Sequence, residues 1–75
     1  MTLAKDLNEI TFPIASSNEG KIKDIAKSDA KVAEVETLAV GRGKKRKMYA
    51  TLRWKSHDDM MHIARIVDEY KASDL

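Results

Sequence analysis

The chain has 75 residues, of which 43% are hydrophobic and 35% are charged, with a formal net charge of +2 and no cysteine. This length predicts a single small domain over residues 1–75 that buries only about 60–65% of its unfolded surface, so that formation of a homodimer would add useful burial. The composition excludes a disulfide framework and a thiolate metal site. The absence of a signal-peptide pattern and of a long apolar run predicts a cytoplasmic protein with no membrane partner.

The first third of the chain predicts a strand followed by a helix. Thr2 to Ile10 has apolar residues at helical spacing, which indicates a short helix or an ordered arm. The alternation in Ile10 to Ala15 predicts an edge strand with Phe12 in the core, because the proline in this segment cannot donate a hydrogen bond to a neighbour. From Lys21 to Ser28 the apolar spacing favours an amphipathic helix, and a short hairpin over residues 17–30 is the alternative.

Two further strands are predicted on either side of a turn. Glu34 to Val40 is rich in strand-forming residues, but its alternation is imperfect, so either a bulge shifts the register or the strand begins late. In Lys44 to Lys55 every second position is apolar and the positions between are mostly basic, which indicates a half-buried strand with a cationic face. The apolar residues are Met48, Ala50, Leu52 and Trp54. Trp54 is predicted to anchor the core. The glycines of Gly41-Arg42-Gly43 tolerate positive φ and predict a hairpin with a two-residue turn.

The last predicted element is a helix that follows the basic strand. Ser56 is a suitable N-cap, and Asp58 and Asp59 would lie in the first turn, where the helix dipole favours negative charge. An apolar stripe then suits packing against the sheet, with Met61 at its border; its members are Met60, Ile63, Val67 and Tyr70. The predicted fold class is therefore α+β, a small antiparallel sheet with a basic β-hairpin, packed by a C-terminal amphipathic helix and one shorter helix.

Positive charge is concentrated in the predicted hairpin. No acidic residue lies between Glu36 and Asp58, whereas half of the fourteen basic residues do. Such a segment can contact phosphates, and an interleaved tyrosine can stack on an unpaired base. The predicted nucleic-acid-binding residues are Arg42, Lys44, Lys45, Arg46, Lys47, Tyr49, Arg53 and Lys55.

These features lead to a first functional hypothesis, a small non-catalytic protein that binds DNA or RNA through a basic hairpin over residues 41–55. The alternative is a small regulatory or inhibitor protein that binds a larger protein partner through the same hairpin or the apolar residues beside it. Two further interpretations are that the lysines protect an exposed edge strand from pairing, or that they form a solvated face that keeps a small protein soluble. The sequence shows no recognisable arrangement of a catalytic nucleophile and a general base, so an enzyme is not expected, and no cofactor is predicted.

The segment from Ile14 to Asp24 could provide a second anion contact. A strand, a small polar loop and a helix N-terminus bring free backbone N–H groups together, and we place the contact at Asn18, Gly20 and Lys21. An ordinary helix cap is the alternative. Ser16, Asn18 and Lys21 resemble the Ser/Thr-x-Asn-x-x-Lys junction of the inosine-triphosphate pyrophosphatase family. The chain is far shorter than that family's fold and lacks its later acidic metal-binding segments, so the resemblance implies no such activity here.

The same region also resembles the loop and following helix of a K-homology RNA-binding domain. The resemblance is carried by Gly20, by Ile22-Lys23-Asp24-Ile25 and by Ala30-Lys31-Val32. In that family a hairpin and a C-terminal helix follow as well, and the resemblance implies RNA binding by the loop. Ser17 stands where that family has its first loop glycine, and little room is left for the family's first helix.

The remaining polar candidates are predicted to be structural. His57 and His62 are five residues apart and would not share a helical face, so no metal site is predicted, although Asp58 and His62 could pair. Glu34 and Glu36 share a strand face, which favours either solvation or pairing with the basic strand across the hairpin.

Overall fold

The fold is a three-stranded antiparallel sheet covered on one face by two helices. A computed structural model of the chain describes residues 7–72. Its elements are β1 (Asn8–Ile14), α1 (Glu19–Ser28), β2 (Glu34–Val40), β3 (Lys47–Trp54) and α2 (Met60–Tyr70). This arrangement confirms the predicted α+β class and the helical interpretation of α1. No helix in residues 7–72 is both long enough and apolar enough to cross a membrane.

The basic strand β3 lies at the centre of the sheet, because the strand order is β1-β3-β2. β1 pairs with it from Asn8 opposite Trp54 to Ile14 opposite Met48, and β2 pairs along its other side. β1 is therefore an edge strand, as its proline predicted. Since a central strand has both neighbours, Lys47 of β3 does not serve to protect an exposed edge, and the edge-protection interpretation is wrong.

The core lies between the helices and one face of the sheet. The alternation predicted for β3 is confirmed: Met48, Ala50, Leu52 and Trp54 are all buried. Each helix adds two isoleucines, and β1 adds the predicted Phe12; the helical residues are Ile22, Ile25, Ile63 and Ile66. The indole Nε1 of Trp54 is buried and has no hydrogen-bond partner among the described residues.

The beginning of the chain differs from the helical prediction. Residues 2–6 of the predicted helix or arm lie outside the described residues, but Asn8 to Ile10 form the start of β1 rather than a helix. Here Ile10 lies opposite Leu52, and the side-chain amide of Asn8 donates to the Trp54 carbonyl over 3.3 Å. Pairing with β3 gives more backbone groups a hydrogen-bond partner than an isolated helical turn would. The segment therefore forms a strand although its apolar residues have helical spacing.

The connection between β2 and β3 is longer than the predicted two-residue turn. Val40 pairs with Lys47, so six residues, 41–46, separate the strands. Within this connection Gly43–Lys45 forms a 3₁₀ turn. β2 itself has the predicted bounds and a continuous register, which means that the strand begins late and contains no bulge.

The start of α2 also departs from the prediction. Ser56 acts as an N-cap, accepting a hydrogen bond from the Asp58 backbone N–H over 3.3 Å, but it caps a 3₁₀ turn that precedes the helix. Met60 and Met61 are 46% and 75% exposed, so their assignment to the core and its border is wrong. Met61 lies on the helical face opposite the buried Ile63, and Met60 precedes the first buried position.

His62 pairs with a different carboxylate from the predicted Asp58. Its Nε2 lies 2.6 Å from Oδ2 of Asp29, the residue that follows α1. This hydrogen bond lowers the pKa of the Asp29 carboxyl, and the backbone N–H of Lys31 donates to the other carboxylate oxygen over 3.0 Å. The pair therefore joins α2 to the segment between α1 and β2.

Candidate nucleic-acid interface

Five exposed cations occupy the connection between β2 and β3 and the first position of β3. We call residues 42–47 the basic loop; its cations are Arg42, Lys44, Lys45, Arg46 and Lys47. The ion pairs found among the described residues involve other side chains. The positive charge of the loop is therefore available to an external anion.

The backbone folds the basic loop into a compact turn. The N–H of Lys45 donates to the Arg42 carbonyl over 3.0 Å, and the N–H of Arg46 donates to the Gly43 carbonyl over 3.2 Å. Gly41 and Gly43 have φ values of +92° and +58°. Both lie in the region that L side chains rarely adopt, as the sequence predicted. The two glycines thus allow the chain to reverse while its cations point outward.

We expect Gly41→Ala to destabilise the protein more than Gly43→Ala does. A Cβ at Gly41 would lie 2.6 Å from the Lys45 carbonyl oxygen, whereas a Cβ at Gly43 would meet nothing within 4 Å. The positive φ costs either alanine about 1–2 kcal/mol, and the clash at Gly41 is additional. Urea unfolding of the two variants measures the difference in the free energy of unfolding. Equal destabilisation would contradict the described loop conformation.

The face of the sheet that the helices leave uncovered, here the open face, carries an apolar row beside the basic loop. Tyr49 of β3 lies between Pro13 of β1 and Leu38 of β2. Tyr49 is half-buried, and Leu38 is 65% exposed. The adjacent position towards the loop pairs Val40 with Lys47. An aromatic ring thus lies within two residues of the cations, as the sequence predicted for Tyr49.

A hollow of about 400 Å³ lies where the basic loop approaches the end of β1. Arg46 and Lys47 line one part of it, and Pro13 and Ser16 line another, with Tyr49 also on its wall. Small-molecule groups commonly occupy hollows of about 300–1,000 Å³ that combine apolar walls with a few polar groups. The hollow therefore offers cationic and aromatic contacts within one concave surface.

Arg53 does not belong to this cluster. It lies six residues after Lys47 along β3, which corresponds to about 20 Å of extended chain. Its guanidinium contacts three carboxylates at 3.0–3.3 Å, those of Glu9, Glu34 and Glu36. The hydrogen bonds that its guanidinium donates to Glu36 and Glu9 raise the pKa of Arg53. Arg53 is therefore neutralised within the open face, and the predicted pairing of Glu34 and Glu36 with the basic strand is confirmed.

Lys55 also lies away from the basic loop. It follows the last residue of β3, and its carbonyl lies 3.3 Å from the side-chain amide of Asn8. Its exposed side chain therefore belongs to the end of the sheet that carries Arg53. The predicted binding residues therefore form two groups in the structure. One consists of the cations of the basic loop with Tyr49, and the other is the distant pair Arg53 and Lys55.

The residues proposed for a second anion contact lie at the same end of the sheet as the basic loop. Asn18 ends a 3₁₀ turn that follows β1, and Gly20 and Lys21 are exposed in the first turn of α1. Glu19 also lies in this turn, and hydrogen bonds from Thr37 and Lys23 lower its pKa. This carboxylate places negative charge beside the three candidates. The Asn18 side chain makes no capping hydrogen bond.

Sequence reasoning did not identify the exposed leucine and valine of the open face. Leu38 and Val40 share the parity of Glu34 and Glu36 in β2 and are 65% and 50% exposed. The two glutamates were the available signal, because residues at i and i+2 of a strand share a face. The presence of glutamates at one end of this face could therefore have indicated that its other end is exposed too.

Comparison with protein-family models, curated proteins and solved structures gives no match. Only four residues, 15–18, separate β1 from α1, which leaves no space there for the additional first helix of a K-homology domain. Within residues 7–72, no group of three or more His, Asp or Glu side chains could hold a metal ion.

Proposed function

We propose that the chain is a small, non-catalytic nucleic-acid-binding protein of the cytoplasm whose basic loop contacts phosphates. The observation that carries the proposal is the clustering of five exposed cations in one ordered turn. Phosphates recur at short intervals along a nucleic acid, so a compact group of lysines and arginines can neutralise several of them at once. The contact residues that we propose are Arg42, Lys44, Lys45, Arg46, Lys47 and Tyr49.

The distribution of charge over the open face supports this proposal. The carboxylates of Glu9, Glu34 and Glu36 surround Arg53 at the end of the sheet opposite the basic loop. A polyanion would be attracted by the loop and repelled by the acidic end, which favours approach with the loop leading. Arg53 and Lys55, included in the sequence-based set, are therefore left out of the proposed contact.

Tyr49 provides the contact that a purely electrostatic site would lack. Its ring lies on the open face between Pro13 and Leu38, and it also borders the hollow beside Arg46 and Lys47. A base stacked on an aromatic side chain contributes about 1–3 kcal/mol, and an unpaired base has its face free for such stacking. One aromatic ring accommodates one base, so we expect a modest preference for single-stranded or looped nucleic acid.

The test is a fluorescence-anisotropy titration against duplex DNA, single-stranded DNA and structured RNA at several salt concentrations. If the five cations each neutralise one phosphate, log affinity falls with log salt with a slope of about −4.5 on a duplex and about −3.5 on a single strand. The Tyr49→Leu variant removes the aromatic ring and leaves the five cations in place, so it measures the contribution of stacking. It is expected to weaken binding to single-stranded DNA more than binding to duplex DNA. Absence of binding, or binding that is insensitive to salt, would refute the proposal.

A further inference from the structure

The two edges of the sheet are not equivalent. The edge of β1 is partly covered, because Ile14 forms a bridge with Lys71 and the Ala72 N–H donates to the Pro13 carbonyl over 2.8 Å. β2 pairs only with β3 among residues 7–72. Its outer backbone groups are therefore open to a further strand over seven residues, Glu34–Val40.

β2 lacks several features that usually prevent an edge strand from pairing, and its two charged residues, Glu34 and Glu36, are confined to its first half. It contains no proline and no lysine, and its register with β3 runs without a bulge. Leu38 and Val40 expose 65% and 50% of their surface next to this edge. A shallow hollow of about 650 Å³ follows the edge, with Lys23 on one side and Thr51 on the other. Space and apolar surface for another strand are thus present.

We propose that β2 pairs antiparallel with β2 of a second copy of this chain, forming a dimer with a continuous six-stranded sheet. The inference is independent of the proposed nucleic-acid binding. Charge identifies a second copy as the occupant, because the Glu34 end of β2 is acidic and its other end leads into the basic loop. A two-fold axis places each acidic end beside the basic end of the other copy.

The axis is expected to pass at Leu38. In that register Leu38 lies opposite Leu38 of the second copy, Val40 lies opposite Glu36, and Glu34 lies near the start of the other copy's basic loop. The most exposed apolar side chain of the edge would then be covered by its own counterpart, and opposite charges would meet at both ends. Cross-strand pairs of these kinds each contribute about 0.2–1 kcal/mol. A parallel pairing would instead bring the two acidic ends together.

Cysteine cross-linking tests this register directly, because the chain has no cysteine of its own. Residues directly opposite in an antiparallel pair have Cβ atoms about 4.5–5.5 Å apart, close to disulfide range. Leu38→Cys is expected to form a covalent dimer under mild oxidation. Glu36→Cys and Val40→Cys should cross-link poorly alone but efficiently with each other when mixed. Met61→Cys is the control, since Met61 is 75% exposed and lies on α2, away from the edge.

Sedimentation velocity at increasing protein concentration provides the second measurement. The wild type is expected to dimerise at micromolar concentrations, and Leu38→Lys is expected to remain monomeric with an unchanged far-UV circular dichroism spectrum. Met61→Lys adds the same charge at an exposed site elsewhere and should dimerise like the wild type. A monomeric wild type, or cross-linking of Leu38→Cys no greater than that of Met61→Cys, would overturn the proposal.

Discussion

Replacement of Lys44, Lys45, Arg46 and Lys47 by alanine is expected to reduce affinity for nucleic acid by at least a hundredfold at low salt. These residues supply four of the five cations of the basic loop. Each neutralised phosphate contributes about 0.9 to the magnitude of the salt slope on a duplex, so the slope should change from about −4.5 to about −1. Anisotropy titrations over the same salt series measure both the affinity and the slope.

A second variant, with the same net charge as the quadruple-alanine variant of the basic loop, separates this local effect from simple loss of positive charge. Lys27, Lys55, Arg65 and Lys71 are exposed and lie outside the basic loop, and their replacement by alanine also removes four positive charges. We expect this variant to retain most of the wild-type slope. If both variants lost affinity equally, binding would depend on overall charge and the loop would not be the interface.

Leu52→Ala is expected to remove a large part of the protein's stability. Leu52 has no exposed surface and lies in the central strand, opposite Ile10 of β1 and Val35 of β2. Truncation of such a leucine typically costs about 2–5 kcal/mol. A domain of this length is stabilised by only about 4–11 kcal/mol in total. The variant should therefore unfold at a much lower urea concentration, or be partly unfolded without urea.

The matched control is Leu38→Ala, which removes the same atoms from a side chain that is 65% exposed. Exposed substitutions of this kind usually change stability by about 0.5 kcal/mol or less. Trp54 is the chain's single tryptophan and is 4% exposed, so its fluorescence reports unfolding of the core in both variants. The measurement should be made below the concentration at which the wild type dimerises. Equal destabilisation by the two variants would contradict the assigned faces of the sheet.

The sequence was most informative where alternation or capping chemistry was strong. β3 was predicted correctly from Lys47 onward because the apolar residues Met48, Ala50, Leu52 and Trp54 occupy every second position without interruption, and the bounds of β2 were also correct. The start of β1 was missed because Asn8 to Ile10 gain their hydrogen bonds from a strand more than 40 residues away in the chain. Local spacing carries no signal of such a partner.

Most residues of the candidate site could be predicted from the sequence, but which of them lie together in the structure could not. The sequence identified the cations of the loop and placed Tyr49 on the polar face, and both placements agree with the structure. It did not separate Arg53 from the others, because the three glutamates around Arg53 come from both neighbouring strands. Met61 was misplaced although helical spacing puts it on the face opposite Ile63, so the sequence did contain a signal of its exposure.

The strand order β1-β3-β2 also has a kinetic consequence. β2 and β3 are joined by six residues, whereas the nearest pair between β1 and β3, Ile14 with Met48, spans more than 30 residues. Closing the shorter loop costs less entropy, so the hairpin is expected to form before β1 docks. The turn that brings β2 and β3 together is the basic loop itself. Mutual repulsion among its cations should slow this early step at low ionic strength, so the residues that we assign to ligand binding would also govern how fast the chain folds.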